Sequence, residues 1–130
     1  MEKIKENKEF IIRYFNAISG VAKTEALNRE YMTDQGLIEH INFFEGAFPK
    51  YELFIDELIA EGNKVLVRAR MRGLHTGDFN GIPPTFREVD LPFVIRYTIK
   101  DQKIADHWLI ADQALLLEQL GIKDTKQQPV

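Results

Sequence analysis

The chain has 130 residues, 45% of them apolar and 11% aromatic, with 20 acidic against 17 basic residues and a net charge of −3. That length suits one domain with a core large enough to line a cavity, and the scattered charge supplies no basic field to hold nucleic acid. The lack of cysteine excludes disulfides and thiolate metal sites. The charged opening Met1-Glu2-Lys3-Ile4-Lys5-Glu6 is unlike a secretory segment, and no apolar run reaches the roughly 20 residues of a membrane span, so a cytoplasmic protein without a membrane partner is expected.

Ile4, Ile11, Phe15 and Ile18 recur at helical spacing with Lys3, Lys5, Glu6 and Lys8 on the other side, which predicts an amphipathic helix ending near Ser19-Gly20. A short helix is expected over Thr24 to Tyr31. A third follows Thr33, which can cap free backbone N–H groups while Asp34 favours the positive helix end; its apolar stripe is Ile38, Ile41 and Phe44 or Phe48, and Pro49 ends it. His40, beside Phe44 and Gly36, reads as a polar helix residue.

From Tyr51 the period drops toward two. Val65, Val67, Ala69, Met71, Gly73 and His75 share one face of a long strand, and Arg68, Arg70 and Arg72 share the other. Tyr51 to Ala60 should pair with it as a hairpin through Glu61-Gly62-Asn63-Lys64. A third strand is expected over Glu88 to Lys100 with Val89, Leu91, Phe93, Ile95, Tyr97 and Ile99 facing inward. After a turn at Asp101-Gln102 a fourth runs from Lys103 to about Ala111, and a last helix ends at Gly121. Residues 1–122 form the core of a single domain spanning 1–130, and Lys123 to Val130 read as a polar, flexible tail. Helices first and antiparallel strands after them predict an α+β arrangement, with helices packed across a curved sheet that encloses a pocket.

Two regions carry candidate chemistry. His75 ends the apolar face of the second strand, at the expected pocket mouth, either to touch a ligand or to organise the loop Thr76 to Thr85 through its backbone. In the fourth strand, strict alternation places Asp106, Trp108, Ile110 and Asp112 on one side and Ala105, His107, Leu109 and Ala111 on the other. On that parity Trp108 and Asp112 face one pocket, where an indole and aliphatic walls would raise the carboxyl toward proton-transfer range, and Asp106 joins them. The competing reading of Asp112 is a cap for the helix that follows. His107 points away from the pocket unless a bulge turns it inward.

Tyr14, Tyr51 and Tyr97 can offer hydroxyls to a ligand oxygen or bond within the protein, and Phe93 would form part of the inner wall. The arginine face of the second strand suits solvent or a salt-bridged surface for a second copy, so a homodimer is expected. The three histidines lack zinc-site spacing, no acidic loop suits calcium, and no glycine loop opens a helix as nucleotide sites do, so neither metal nor cofactor is expected.

Gly73-Leu74-His75-Thr76-Gly77-Asp78-Phe79-Asn80-Gly81-Ile82-Pro83-Pro84-Thr85, followed by Asp106-His107-Trp108-Leu109-Ile110-Ala111-Asp112 and Gln119-Leu120-Gly121, resembles the signature of the SnoaL-like polyketide cyclases. The resemblance implies the cone-shaped α+β barrel shared with nuclear transport factor, ketosteroid isomerase and scytalone dehydratase. It also implies cofactor-free enolisation and intramolecular aldol closure of a small apolar carbonyl compound. Asp112 would act as base and then acid, His75 and His107 would steady the developing enolate, and Trp108 would supply a dry wall. Where that family often has glycine this chain has Phe86, which would put a bulky ring against the ligand at the pocket rim. A ligand-binding module without catalysis is the alternative. A scaffold with a collapsed interior is a third, should Phe43, Phe48, Phe54, Phe86 and Phe93 fill it.

Overall fold

In the computed structural model, which describes residues 2–122, the chain runs α1 (Glu2–Ile18), α2 (Glu25–Tyr31), α3 (Gln35–Ala47), β1 (Glu52–Glu61), β2 (Lys64–Leu74), β3 (Glu88–Lys100), β4 (Lys103–Ala111) and α4 (Gln113–Gln119). The segment expected to form a tail lies outside the described residues. The four strands form one antiparallel sheet in chain order, because each strand returns directly beside the last. Gly62, at φ 60°, takes the first central position of the two-residue β1–β2 turn. Asp101 and Gln102 connect β3 to β4 with φ of 51° and 63°, the doubly left-handed backbone that matches strand twist in a tight hairpin.

Two bulges bend this sheet. Asp56 is the extra residue between Ile55 and Glu57 in β1, and Ala105 is the extra residue between Ile104 and Asp106 in β4. Each lets the sheet curl around the helices. The concave face carries Val65, Val67 and Ala69 of β2 with Ile95, Tyr97 and Ile99 of β3, all buried against Ile11, Phe15 and Ile18 of α1 and Ile38 and Ile41 of α3. A second cluster around Phe48, Met71, Phe79, Leu91, Leu116 and Leu120 packs the other end of the sheet against α4. The product is an α+β cone.

Helix starts follow side-chain capping. Thr24 Oγ1 accepts from the Leu27 N–H of α2 at 3.2 Å. α3 is capped by Asp34, not by Thr33 as expected: Asp34 Oδ1 accepts from the Leu37 N–H at 3.0 Å. Among the described residues, no helix is long and apolar enough to cross a membrane.

The glycine-rich connection between β2 and β3 is tightly docked. Thr76 and Gly77 N–H groups both donate to the Ala47 carbonyl at 3.1 Å, and a Cβ on Gly77 would lie 1.9 Å from the Gly46 carbonyl oxygen. Only a glycine permits that approach. Asn80 and Gly81, with φ of 50° and 87°, form the tip between the bridged residues Phe79 and Ile82.

Candidate functional site

Between the helices and the concave sheet lies a cavity of about 630 Å³ that opens to solvent. The two core clusters meet around it without filling it. α1 contributes Tyr14, α3 contributes Leu37, His40 and Ile41, and the strands contribute Phe93, Ile95, Tyr97 and His107 among others. Of the five phenylalanines weighed as interior filling, Phe93 lines the cavity, Phe48 packs in the second cluster, and Phe86 is 69% exposed.

The bulge at Ala105 decides what β4 offers. Ile104 is buried, and after the extra residue the inward positions become His107, Leu109 and Ala111, opposite Tyr97, Ile95 and Phe93 of β3. His107 therefore faces the cavity. This corrects the orientation expected from strict alternation: Asp106 turns to the outer face, where it pairs with Arg96 at 3.2 Å, and Trp108 stands beside Arg96 with 51% of its surface exposed. Trp108 and Ile110 border the cavity along the edge strand rather than forming a dry wall inside it.

His107 Nδ1 lies 2.6 Å from Asp34 Oδ2. Since Asp34 Oδ1 is occupied by the α3 cap, the carboxylate is held between a helix start and an imidazole. A carboxylate on Nδ1 selects the tautomer with the proton on that nitrogen, leaving the Nε2 lone pair for a ligand. The His107 ring rests over Gly36, whose Cβ position would lie 3.9 Å from Cε1. One helical turn further, His40 lines the same cavity and packs its ring against Phe44, tilted by 46° with centroids 4.8 Å apart. Burial, and secondarily the field of His107, lower the His40 pKa and favour its neutral form. The sequence alone gives His40 only as a polar helix residue. Its i, i+4 relation to Gly36 was visible, but its meaning depends on what β4 lays over that glycine.

Asp112, His75 and Phe86 lie away from the cavity. Asp112 is exposed and caps α4, its Oδ1 accepting from the Leu115 N–H at 3.0 Å; it does not line the cavity. The inward parity expected for it was shifted by the same bulge. His75 is fully buried behind Phe48, with ring centroids 5.3 Å apart, and its Nδ1 accepts from the Thr85 N–H at 3.1 Å. It organises the β2–β3 loop, away from the cavity. Phe86 is turned outward from the rim, on a backbone with φ 60°. Tyr14 and Phe93 line the cavity as expected. Among the described residues no group of three or more His, Asp or Glu side chains converges as a metal site would.

The family model of the SnoaL-like polyketide cyclases matches residues 20–120. No curated protein matches the sequence significantly. Among solved structures, the fold is similar to a proposed SnoaL-like polyketide cyclase from Jannaschia sp. CCS1, with TM-score 0.77 and 23% identity over 92% of this chain and 94% of that one. It is similar to AclR, a proposed hydroxylase from Streptomyces galilaeus, with TM-score 0.76 and 21% identity over 91% and 82% of the two chains. Wild-type IdmH, a proposed polyketide cyclase from Streptomyces antibioticus, gives 0.72 and 22% over 88% and 98%. With the motif, the cone and the family match in agreement, this chain belongs to the SnoaL-like polyketide cyclase family.

Proposed function

We propose that the protein is a cofactor-independent acid–base enzyme acting on a small, apolar, carbonyl-bearing molecule, with His107 as the proton-transfer group and Asp34 as its orienting partner. The observation that carries this reading is the 2.6 Å His107–Asp34 contact on a cavity wall that is otherwise mostly apolar. His107 Nε2 takes a proton from the carbon beside a carbonyl. The enolate carbon then bonds to a second carbonyl carbon of the same molecule, and the new alkoxide takes the proton back from the imidazolium. Asp34 stabilises the imidazolium while it exists, and neutral His40 adds no competing charge.

Exchange of the α-protons of 2-tetralone, an apolar two-ring ketone, in deuterated buffer tests the first step. Wild type should accelerate exchange over buffer, and His107→Gln should lose about a hundredfold or more of that acceleration. Equal exchange by the two proteins would refute the assignment.

One observation favours a second reading, a small-molecule-binding protein of the same fold. Asp112, the aspartate in the family-like segment, is engaged as a helix cap. Retained ligand binding with no exchange above buffer would select that reading.

We also propose that two copies associate through the convex sheet face. That face exposes Ile59 and Leu66 on β1 and β2 and Trp108 and Ile110 on β4, beside ion pairs such as Arg70–Asp56 at 3.1 Å and Arg72–Asp90 at 3.4 Å. Apolar side chains set among charges of both signs can match their own copy under twofold symmetry. Sedimentation of wild type against Trp108→Asp reads this directly, with a dimer expected for the first and a shift to monomer for the second.

A further inference from the structure

Tyr14 of α1, Tyr51 just before β1 and Tyr97 of β3 come from three distant parts of the chain, yet all three line the cavity, with only 2%, 6% and 3% of their surfaces exposed. The rings of Tyr14 and Tyr97 meet edge to face at 6.0 Å, and Tyr97 stands directly opposite His107 across the β3–β4 pairing. Buried phenols ordinarily satisfy their hydroxyls within the protein. Here no described residue hydrogen-bonds to any of the three hydroxyls; among described residues, the sealed side-chain atoms without partners are Asn28 Oδ1, Glu45 Oε1 and His75 Nε2. The three hydroxyls are therefore not sealed, and they open onto the cavity.

Charge narrows what they serve. No lysine or arginine lines the cavity. Lys23 does not line it either; its ammonium sits over the Tyr51 ring, 3.9 Å from the centroid, with its side chain fully covered. A carboxylate or phosphate ligand would lose its hydration there without a counter-charge. An uncharged ligand whose oxygen accepts hydrogen bonds, and gains electron density during reaction, has no such penalty. Burial also raises all three phenol pKa values, so each remains a protonated donor.

We propose that Tyr14, Tyr51 and Tyr97 form a donor subsite for one oxygen of a neutral enolisable carbonyl or phenol-type ligand, placing the adjacent carbon toward His107. This rests on the acid–base reading for its chemistry, but the recognition it describes is separable from catalysis. Donors aimed at the oxygen where an enolate develops stabilise the charged state more than the neutral ketone.

The probes are 2-naphthol, naphthalene and 2-naphthoate, with binding followed by ligand fluorescence. Wild type should bind 2-naphthol about tenfold or more tighter than naphthalene, and 2-naphthoate weakest of the three. Each single Tyr→Phe variant keeps its ring and should weaken 2-naphthol by about three- to tenfold while leaving naphthalene within twofold, with unfolding curves confirming the fold. Naphthol dependence on His107 alone, or Tyr→Phe variants that bind it as wild type does, would overturn the subsite. Phenol-dependent binding without tetralone exchange would uphold the subsite and reject the acid–base reading. Exchange that needs His107 but is indifferent to all three phenols would do the reverse.

Discussion

Asp34 and His107 stand 73 residues apart in the chain and share a 2.6 Å hydrogen bond, so the residue that starts one helix controls the tautomer of a strand residue packed against it. Replacing Asp34 separates its two jobs. Asn can still cap α3, so Asp34→Asn should cost less than about 1 kcal/mol of stability, whereas Asp34→Ala should cost about 1–2 kcal/mol. Both should slow tetralone exchange by at least about tenfold, because neither holds Nδ1–H with a negative charge. Chemical denaturation together with exchange kinetics separates the two effects.

Asp112 provides the contrasting case. Its carboxylate serves α4 alone, so Asp112→Ala should lower stability by about 1 kcal/mol, and Asp112→Asn by much less. Exchange rates per folded molecule should remain within about twofold of wild type in both variants. A large loss of exchange in the folded Asn variant would return the acid–base role to this residue.

His40 predicts a slope of stability with pH. Burial first, and the positive field of His107 second, lower its folded pKa below the ordinary 6.5. As pH falls below 6.5, the unfolded chain takes up a proton on this residue before the folded chain does, so stability drops; as pH rises toward 6.5 the contribution returns. His40→Gln should flatten that part of the profile. The neighbouring His107–Asp34 pair remains in both proteins, so the difference between the two curves reads His40 together with its coupling to His107.

Lys23 predicts the opposite end of the pH range. Its ammonium is fully covered, held by the Tyr51 carbonyl at 2.7 Å and the Val21 carbonyl at 2.9 Å, with Glu45 at 3.6 Å. Burial lowers its pKa to about 8 from 10.5, against the pull of Glu45. Below pH 8 both states carry the proton; between these values the unfolded chain holds more of it, so stability rises with pH. Wild type measured against Lys23→Met should gain on the order of 2 kcal/mol across that window. The buried tyrosines titrate in both proteins and cancel in the difference.

Phe86 holds a left-handed backbone at φ 60° with its ring in solvent, while its N–H donates to the His75 carbonyl at 2.9 Å. A bulky side chain there costs about 1–2 kcal/mol that glycine avoids, against glycine's greater freedom when unfolded. Phe86→Gly should therefore raise stability by about 0.5–1 kcal/mol, read as an upward shift in Tm. Ligand affinity should be unchanged, because the ring does not border the cavity.

The sequence by itself determined the order of elements and most of the sheet. Val65 to Met71 and Val89 to Ile99 keep an apolar residue at every second position, and a strand with one buried face can satisfy such a pattern in a single register. The resemblance of the Gly73–Thr85 segment named the family, although its residues serve the architecture: Gly77 meets the Gly46 carbonyl, and His75 holds Thr85. The tertiary structure alone decided the site. In β4 both parities are apolar, with Trp108 and Ile110 on one and Leu109 and Ala111 on the other, so hydrophobic pattern cannot choose between them. The extra residue Ala105 makes the choice and sends His107 inward and Asp106 outward. The partners of His107, and the three phenols that share its cavity, come from α1, the α3 boundary, the start of β1 and β3. Their meeting depends on how the helices lie across a bent sheet, a long-range property that local spacing does not encode.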